Sequence, residues 1–198
     1  MNNIMWLCQW LSRLAWLNVV GIIFSLSGGI VFGIMPSMIM MCTGIRWYVE
    51  GQQRISIGML WRVYCSVWGR ANRLWLLITV PLMSAMWYWH WAVINQLDFL
   101  SVFGLAVIPL TLGVMIAIIC LAIQVSMYET SGIKDDFNNA LCFFHEHYRK
   151  VIMALLTILA LFLISFIFPV VALFYLLTPG LVIAMKNQYS LSNHNEDV

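Results

Sequence analysis

Charge is what this sequence lacks most. Only 9% of its 198 residues are Asp, Glu, Lys or Arg, against about 25% in a typical soluble domain. Residues 14–45, 74–97, 99–128 and 151–185 contain none of the four. A helix needs roughly 20 apolar residues to cross about 30 Å of hydrocarbon, so each run is long enough to span. The shortage excludes a soluble globular domain. A net charge of +2 is too small to point to nucleic acid. The ten-residue alternating segments of a membrane β-barrel are missing as well.

Reactive constellations are equally scarce. The cysteines at 8, 42, 65, 120 and 142 form no CxxC pair. Cys42 and Cys120 lie in apolar runs, where a thiol behaves as a small hydrophobe. There is no GxSxG, no HExxH and no phosphate-binding loop. His145 and His147 flank Glu146, but positions two apart on a helix point away from each other and grip one ion poorly. His90 stands alone. The expectation is a non-enzyme without cofactor or metal. The apolar runs also lack the ionisable residues that mark ion paths, which counts against proton- or sodium-coupled transport. Asn18, Thr111 and Gln124 are read as packing hydrogen bonds. The opening "MNNIMWLCQWLSR" has no basic start and no small-residue cleavage site, so an uncleaved anchor within the fold is expected.

The few charges that exist are sorted. Arg46, Arg54, Arg62, Arg70 and Arg73 separate the first two runs; Lys134, Arg149 and Lys150 separate the last two. The link around Asp98 has no Lys or Arg. The positive-inside rule puts both basic stretches in the cytoplasm and the Asp98 link outside. Lys186 then holds residues 187–198 inside as a polar, disordered cytoplasmic tail, and 1–186 is a single membrane domain. Residues 151–185 as one helix would be about 52 Å long, too long for one crossing. Pro169 divides them into 151–168 and 170–185, and Pro36 starts a shorter second helix over 36–50. Pro81 and Pro109 fall within the other runs, where spans tolerate proline, or Pro109 starts the third crossing. The fold class is all-α: a polytopic helical membrane protein with five or six transmembrane helices and two cytoplasmic amphipathic helices.

Those amphipathic helices come from the basic stretches. In one, Ile57, Leu60, Trp61, Tyr64, Val67 and Trp68 share a face, with Arg62, Arg70 and Arg73 elsewhere. In the other, Asp135 and Asp136 suit the positive end of a helix, and Phe137, Leu141, Phe144 and Tyr148 make the apolar stripe. At an offset of eighty residues Tyr48 meets Tyr128, Tyr64 meets Phe144, Trp68 meets Tyr148 and Arg70 meets Lys150. This outlines a weak repeat of 36–80 and 116–160, against two unrelated surface helices.

Two patterns concern packing. Gly21, Ser25, Gly29 and Gly33 are spaced by four and form a small-residue ridge, with Pro36 just beyond. Such a ridge seats a helix of the same chain, a second copy or another membrane protein. Arg46 and Glu50 are spaced for an ion pair. Trp87, Trp89 and Trp91 fit an aromatic belt at a membrane interface.

The segment "RLAWLNVVGIIFSLSGGIVFGIMPSMIMMCTGIRWYVEGQ" resembles the YesL family of bacterial membrane proteins, a family named as a domain of unknown function. The resemblance is carried by Asn18, the glycine-rich Gly28, Gly29 and Gly33, the Gly33-to-Pro36 corner, and the exit at Arg46, Trp47 and Gly51. The aromatic segment from Ile57 to Trp68 follows in the family's place. Val19, Val20, Gly21, Ser37 and Met38 depart from the family's pattern, and only residues 13–73 are specific. The resemblance implies a multi-pass protein of the bacterial cytoplasmic membrane and a role around carbohydrate uptake, because members are often encoded beside ABC importers. The reading is a non-catalytic accessory or scaffold. Its docking surface is Arg46, Trp61, Arg62, Trp68, Arg70, Arg73, Arg149 and Lys150. Its partners are the lipid bilayer and an ABC permease or ATPase subunit, or a second copy of the chain. The alternative is an independent small-solute transporter or channel.

Overall fold

The computed structural model describes residues 3–52, 54–95, 104–128 and 132–185. Among these the chain forms helices and no strands: α1 (Asn3–Ser27), α2 (Ile34–Val49), α3 (Ile57–Ile94), α4 (Gly104–Met127), α5 (Ile133–Ile167), α6 (Pro169–Tyr175) and α7 (Thr178–Met185). Four segments are long and apolar enough to cross a membrane: Leu7–Ser27, Ile57–Ile94, Val107–Met127 and Ile133–Ile167. The chain is an all-α polytopic membrane protein.

The short helix α2 is the centre of the bundle. It has 16 residues, fewer than the roughly 20 that a lone span needs. It does not face lipid. Residues 35–45 are all buried, and α1, α3, α4 and α7 pack around it. A helix that is apolar on all sides is one that neighbours surround. Its pairing with α1 is antiparallel and close. A Cβ on Gly21 would lie 2.5 Å from Met41 Sδ, and one on Gly44 would lie 2.7 Å from Leu17 Cδ2.

The four-spaced small residues do not form one ridge. Helix α1 stops at Ser27, and residues 28–33 turn the chain into α2. Gly29 and Ile30 take left-handed backbone conformations, φ +75° and +57°. The Ile30 N–H folds back to the Ser25 carbonyl at 3.0 Å. This is how a helix ends when a residue that tolerates positive φ follows it. Gly21 and Ser25 therefore lie on α1, Gly29 and Gly33 lie in the turn, and Pro36 lies in the first turn of α2.

The first basic stretch is not a separate surface helix either. Ser56 caps α3, accepting from the Gly58 N–H at 3.3 Å, and the helix then runs 38 residues through Pro81 to Ile94. That is about 57 Å, far longer than one crossing. The amphipathic segment is its first half. Helix α5 has the same plan with a bend at His147 (φ −122°, ψ 23°). Its buried face is Asp136, Ala140, Phe143, Val151 and Ala154. The apolar stripe divides: Phe137 and Phe144 pack partly against the core, while Leu141 is 64% exposed and Tyr148 44%. In lipid the outward face is the greasy one, while small residues sit where helices meet.

The expected break at Pro169 is present, since α5 ends at Ile167 and Pro169 opens α6. The expected last crossing, 170–185, is itself divided into α6 and α7. Helix α7 docks tightly on α5, because a Cβ on Gly180 would lie 2.5 Å from Ile158 Cγ1. Pro109 does not start a helix and lies inside α4. The link around Asp98 and the tail 187–198 lie outside the described residues.

Candidate functional site at the basic end of the bundle

The ends of α2 and α4 meet the first halves of α3 and α5 at one end of the bundle, and most of the described positive charges gather there. Arg46, in the last turn of α2, donates from Nη1 to the Ser126 carbonyl of α4 at 2.8 Å. The last carbonyls of a helix have no partner within it and carry partial negative charge. Arg46 thus serves the ends of two helices that run in the same direction. Its spacing-based partner Glu50 is farther, at 3.6 Å from Nε.

Arg70 holds α3 to α5. Its Nε donates to Asp136 Oδ2 at 2.9 Å, and its Nη2 donates to Oδ1. Asp136 is 2% exposed. A buried carboxylate is costly unless it is paired and hydrogen-bonded, and the forked guanidinium satisfies both oxygens. The first turn of α5, where Asp136 stands, favours a carboxylate further.

Arg46 and Arg70 both line a cavity of about 570 Å³ between α2, α3 and α4. Thr43, Ser66, Ser126 and Tyr128 also face it. The three aliphatic hydroxyls donate to carbonyls of their own helices, those of Ile39, Val63 and Ile123. At the same end Arg13 of α1 lies over the Tyr48 ring, 5.1 Å from its centroid.

The expected docking residues divide by exposure. Trp61, Arg62, Trp68, Arg73 and Arg149 are exposed. Arg46, Arg70 and Lys150 are half-buried, and the first two are engaged in holding helices together. Trp61 stacks on Tyr64 at 5.5 Å and meets Phe24 edge-on at 5.3 Å, so it rests against α1. Arg149 lies over the Tyr148 ring at 5.7 Å. Among the described residues no three His, Cys, Asp or Glu side chains group as a metal site.

Asp136 and Ser126 carry the contacts of this end, and spacing alone did not find them. The repeat offset holds one signal, because Arg46 and Ser126 are eighty apart. Asn18 has a more specific role than packing. Its amide donates to the Leu173 carbonyl at 2.9 Å and accepts from the Leu177 N–H at 3.4 Å. Those two groups would bond each other in a continuous helix. Asn18, 2% exposed, stands in for that bond where α6 gives way to α7.

Three comparisons bear on this geometry. The model of a family described as "Protein of unknown function, DUF624" matches residues 14–91. The uncharacterized protein YesL of Bacillus subtilis (strain 168) is 38% identical over 80 residues, 40% of this chain and 38% of that protein. The uncharacterized protein YesV of the same organism is 33% identical over 95 residues, 46% of each chain. The uncharacterized protein YteU, also from that organism, is 32% identical over 68 residues, 34% of this chain and 31% of that one. The chain thus matches less than half the length of each of these relatives. No solved structure matches. The matched stretch holds α1 from Leu14 on, the turn at Gly29, α2 and most of α3, with Asn18, Arg46 and Arg70 in it. Over residues 14–91 the chain is similar to the DUF624 family, described as of unknown function, and YesL is among the relatives it resembles.

Proposed function

We propose that this protein is a non-catalytic accessory or scaffold of a solute-uptake system, docked through its basic end from the cytoplasmic side. The observation that carries the reading is the joining of α3 and α5 by Arg70 and Asp136. That pair fixes two long helices so that their exposed aromatic and basic side chains stand at one end. Trp68 and Arg62 from α3, and Tyr148 and Arg149 from α5, are exposed there. Tryptophan and arginine are the residues that most often anchor protein interfaces. The carbohydrate-importer identity of the partner comes from the family resemblance alone. The orientation comes from the positive-inside rule, which puts Arg54, Arg62, Lys134 and Arg149 in the cytoplasm.

The test is co-purification in mild detergent from the native cell, with bound proteins identified by mass spectrometry. A permease or ATPase subunit recovered in fixed ratio to this chain supports the reading. A clean homo-oligomer that carries solute across proteoliposomes contradicts it and supports an independent transporter. The transporter reading has one observation in its favour. The break between α6 and α7 is a discontinuous helix, the device with which many transporters build a solute site.

A further inference from the structure

We propose that the cleft between α3 and the start of α5 binds the phosphate headgroup of an anionic phospholipid. The cleft is a cavity of about 450 Å³, lined by Arg70 and Arg73 of α3, by Gly132 and by residues 133–136 of α5, Lys134 among them. Arg70 and Asp136 neutralise each other through two hydrogen bonds. Among the described residues, Arg73, Lys134 and Asp135 then line the cleft together, which leaves one positive charge in excess. The positive end of α5 adds to it. A single excess charge suits a phosphodiester, which carries one negative charge, better than a phosphate dianion beside Asp135.

The place of the cleft selects a lipid over a soluble anion. Arg73 is the last charged residue before the charge-free run 74–97. The next turn of α3 presents Leu76 and Leu77 outward, 40% and 54% exposed. A headgroup in the cleft therefore has an apolar wall on the same helix for its acyl chains. A free phosphate would use none of that wall. Arginine and lysine reach such a level from within a bilayer by running their apolar stems along it. The cleft shares Arg70 and Arg73 with the docking reading, but its test reads bound lipid and not bound protein, so either proposal can fail alone.

The experiment uses the full chain, stripped in mild detergent and reloaded with phosphatidylglycerol or phosphatidylcholine, with bound lipid counted by native mass spectrometry. The wild type should retain phosphatidylglycerol and release phosphatidylcholine. The pair Arg73→Gln and Lys134→Gln should weaken retention about tenfold. Arg54→Gln, outside the cleft, should leave it unchanged. Equal retention of the two lipids, or full retention by the double variant, overturns the site. Displacement of the lipid by inorganic phosphate or glycerol phosphate overturns its assignment to a lipid. Should the double variant not fold, the wild type alone decides. Phosphatidylglycerol should raise its melting temperature in nanodiscs at low salt, with the gain falling as salt screens the contact. No lipid-specific gain overturns the proposal.

Discussion

Asn18 shows what one amide does in an apolar bundle. Without it, the Leu173 carbonyl and the Leu177 N–H would lie at a helix break with no partner. Asn18→Leu keeps a similar volume and removes both hydrogen bonds. It should cost about 1–3 kcal/mol, the range for leaving a buried polar group unsatisfied. Hydrogen exchange should speed up at Leu177 and the start of α7 and stay unchanged in α2. Uniform loss of protection across the bundle would contradict the local role. Gly29 gives a second residue-scale prediction. A Cβ there meets nothing within 4 Å, but the backbone is left-handed at φ +75°. Gly29→Ala should therefore cost about 1–2 kcal/mol from conformation alone, and Gly29→Asn should recover most of it. A packing ridge would instead make both substitutions equally damaging in a thermal melt. The importance of Asn18 and Gly29 was legible in their residue types. Their jobs were not, because a bond across 155 positions and a positive φ leave no mark in local spacing.

Helices separate into those that spacing revealed and those that it misphased. The charge-free runs located α1, α3, α4 and α5, since hydrocarbon thickness sets their length. Pro169 located the end of α5, because proline has no N–H for the preceding turn and suits the start of a new helix. The apolar stripe of α5 divides, with Phe137 and Phe144 partly against the core and Leu141 and Tyr148 outward. Spacing identifies an apolar stripe but not whether lipid or protein covers it. Ala140 is 6% exposed and Leu141 is 64% exposed. Ala140→Leu should overpack the core at this buried position and cost about 1–3 kcal/mol, whereas Leu141→Ala should change the melting temperature little. The reverse order would show that the stripe faces the protein. Gly44 belongs to this scale too. It stands outside the four-spaced pattern, yet it makes the α1–α2 approach at Leu17 as Gly21 does at Met41.

Across the whole molecule, two units share one plan: α2 followed by α3, and α4 followed by α5. Each is an apolar helix, a connection, and a long helix that begins amphipathic. Arg46 bonds Ser126 between the two units, and Arg70 bonds Asp136 between them. The basic end is built from contacts that join one unit to the other. Asp136→Asn would remove the charge from the bonds to half-buried Arg70 and should destabilise the protein by about 1–3 kcal/mol. The loss should appear as a lower melting temperature in detergent. The sequence put Arg70 and Asp136 in the two basic stretches, with Asp136 at a helix start. It could not show that they meet, since 66 positions separate them.

The most direct test of the account is a charge swap across this pair, read by recovery of the uptake partner. If the wild type retains a permease or ATPase subunit, as proposed, Arg70→Asp alone and Asp136→Arg alone should each lose it. The double variant Arg70→Asp with Asp136→Arg should recover most of it, because the pair is remade in reverse. Full retention by either single variant would contradict the account, as would a folded double variant that recovers nothing.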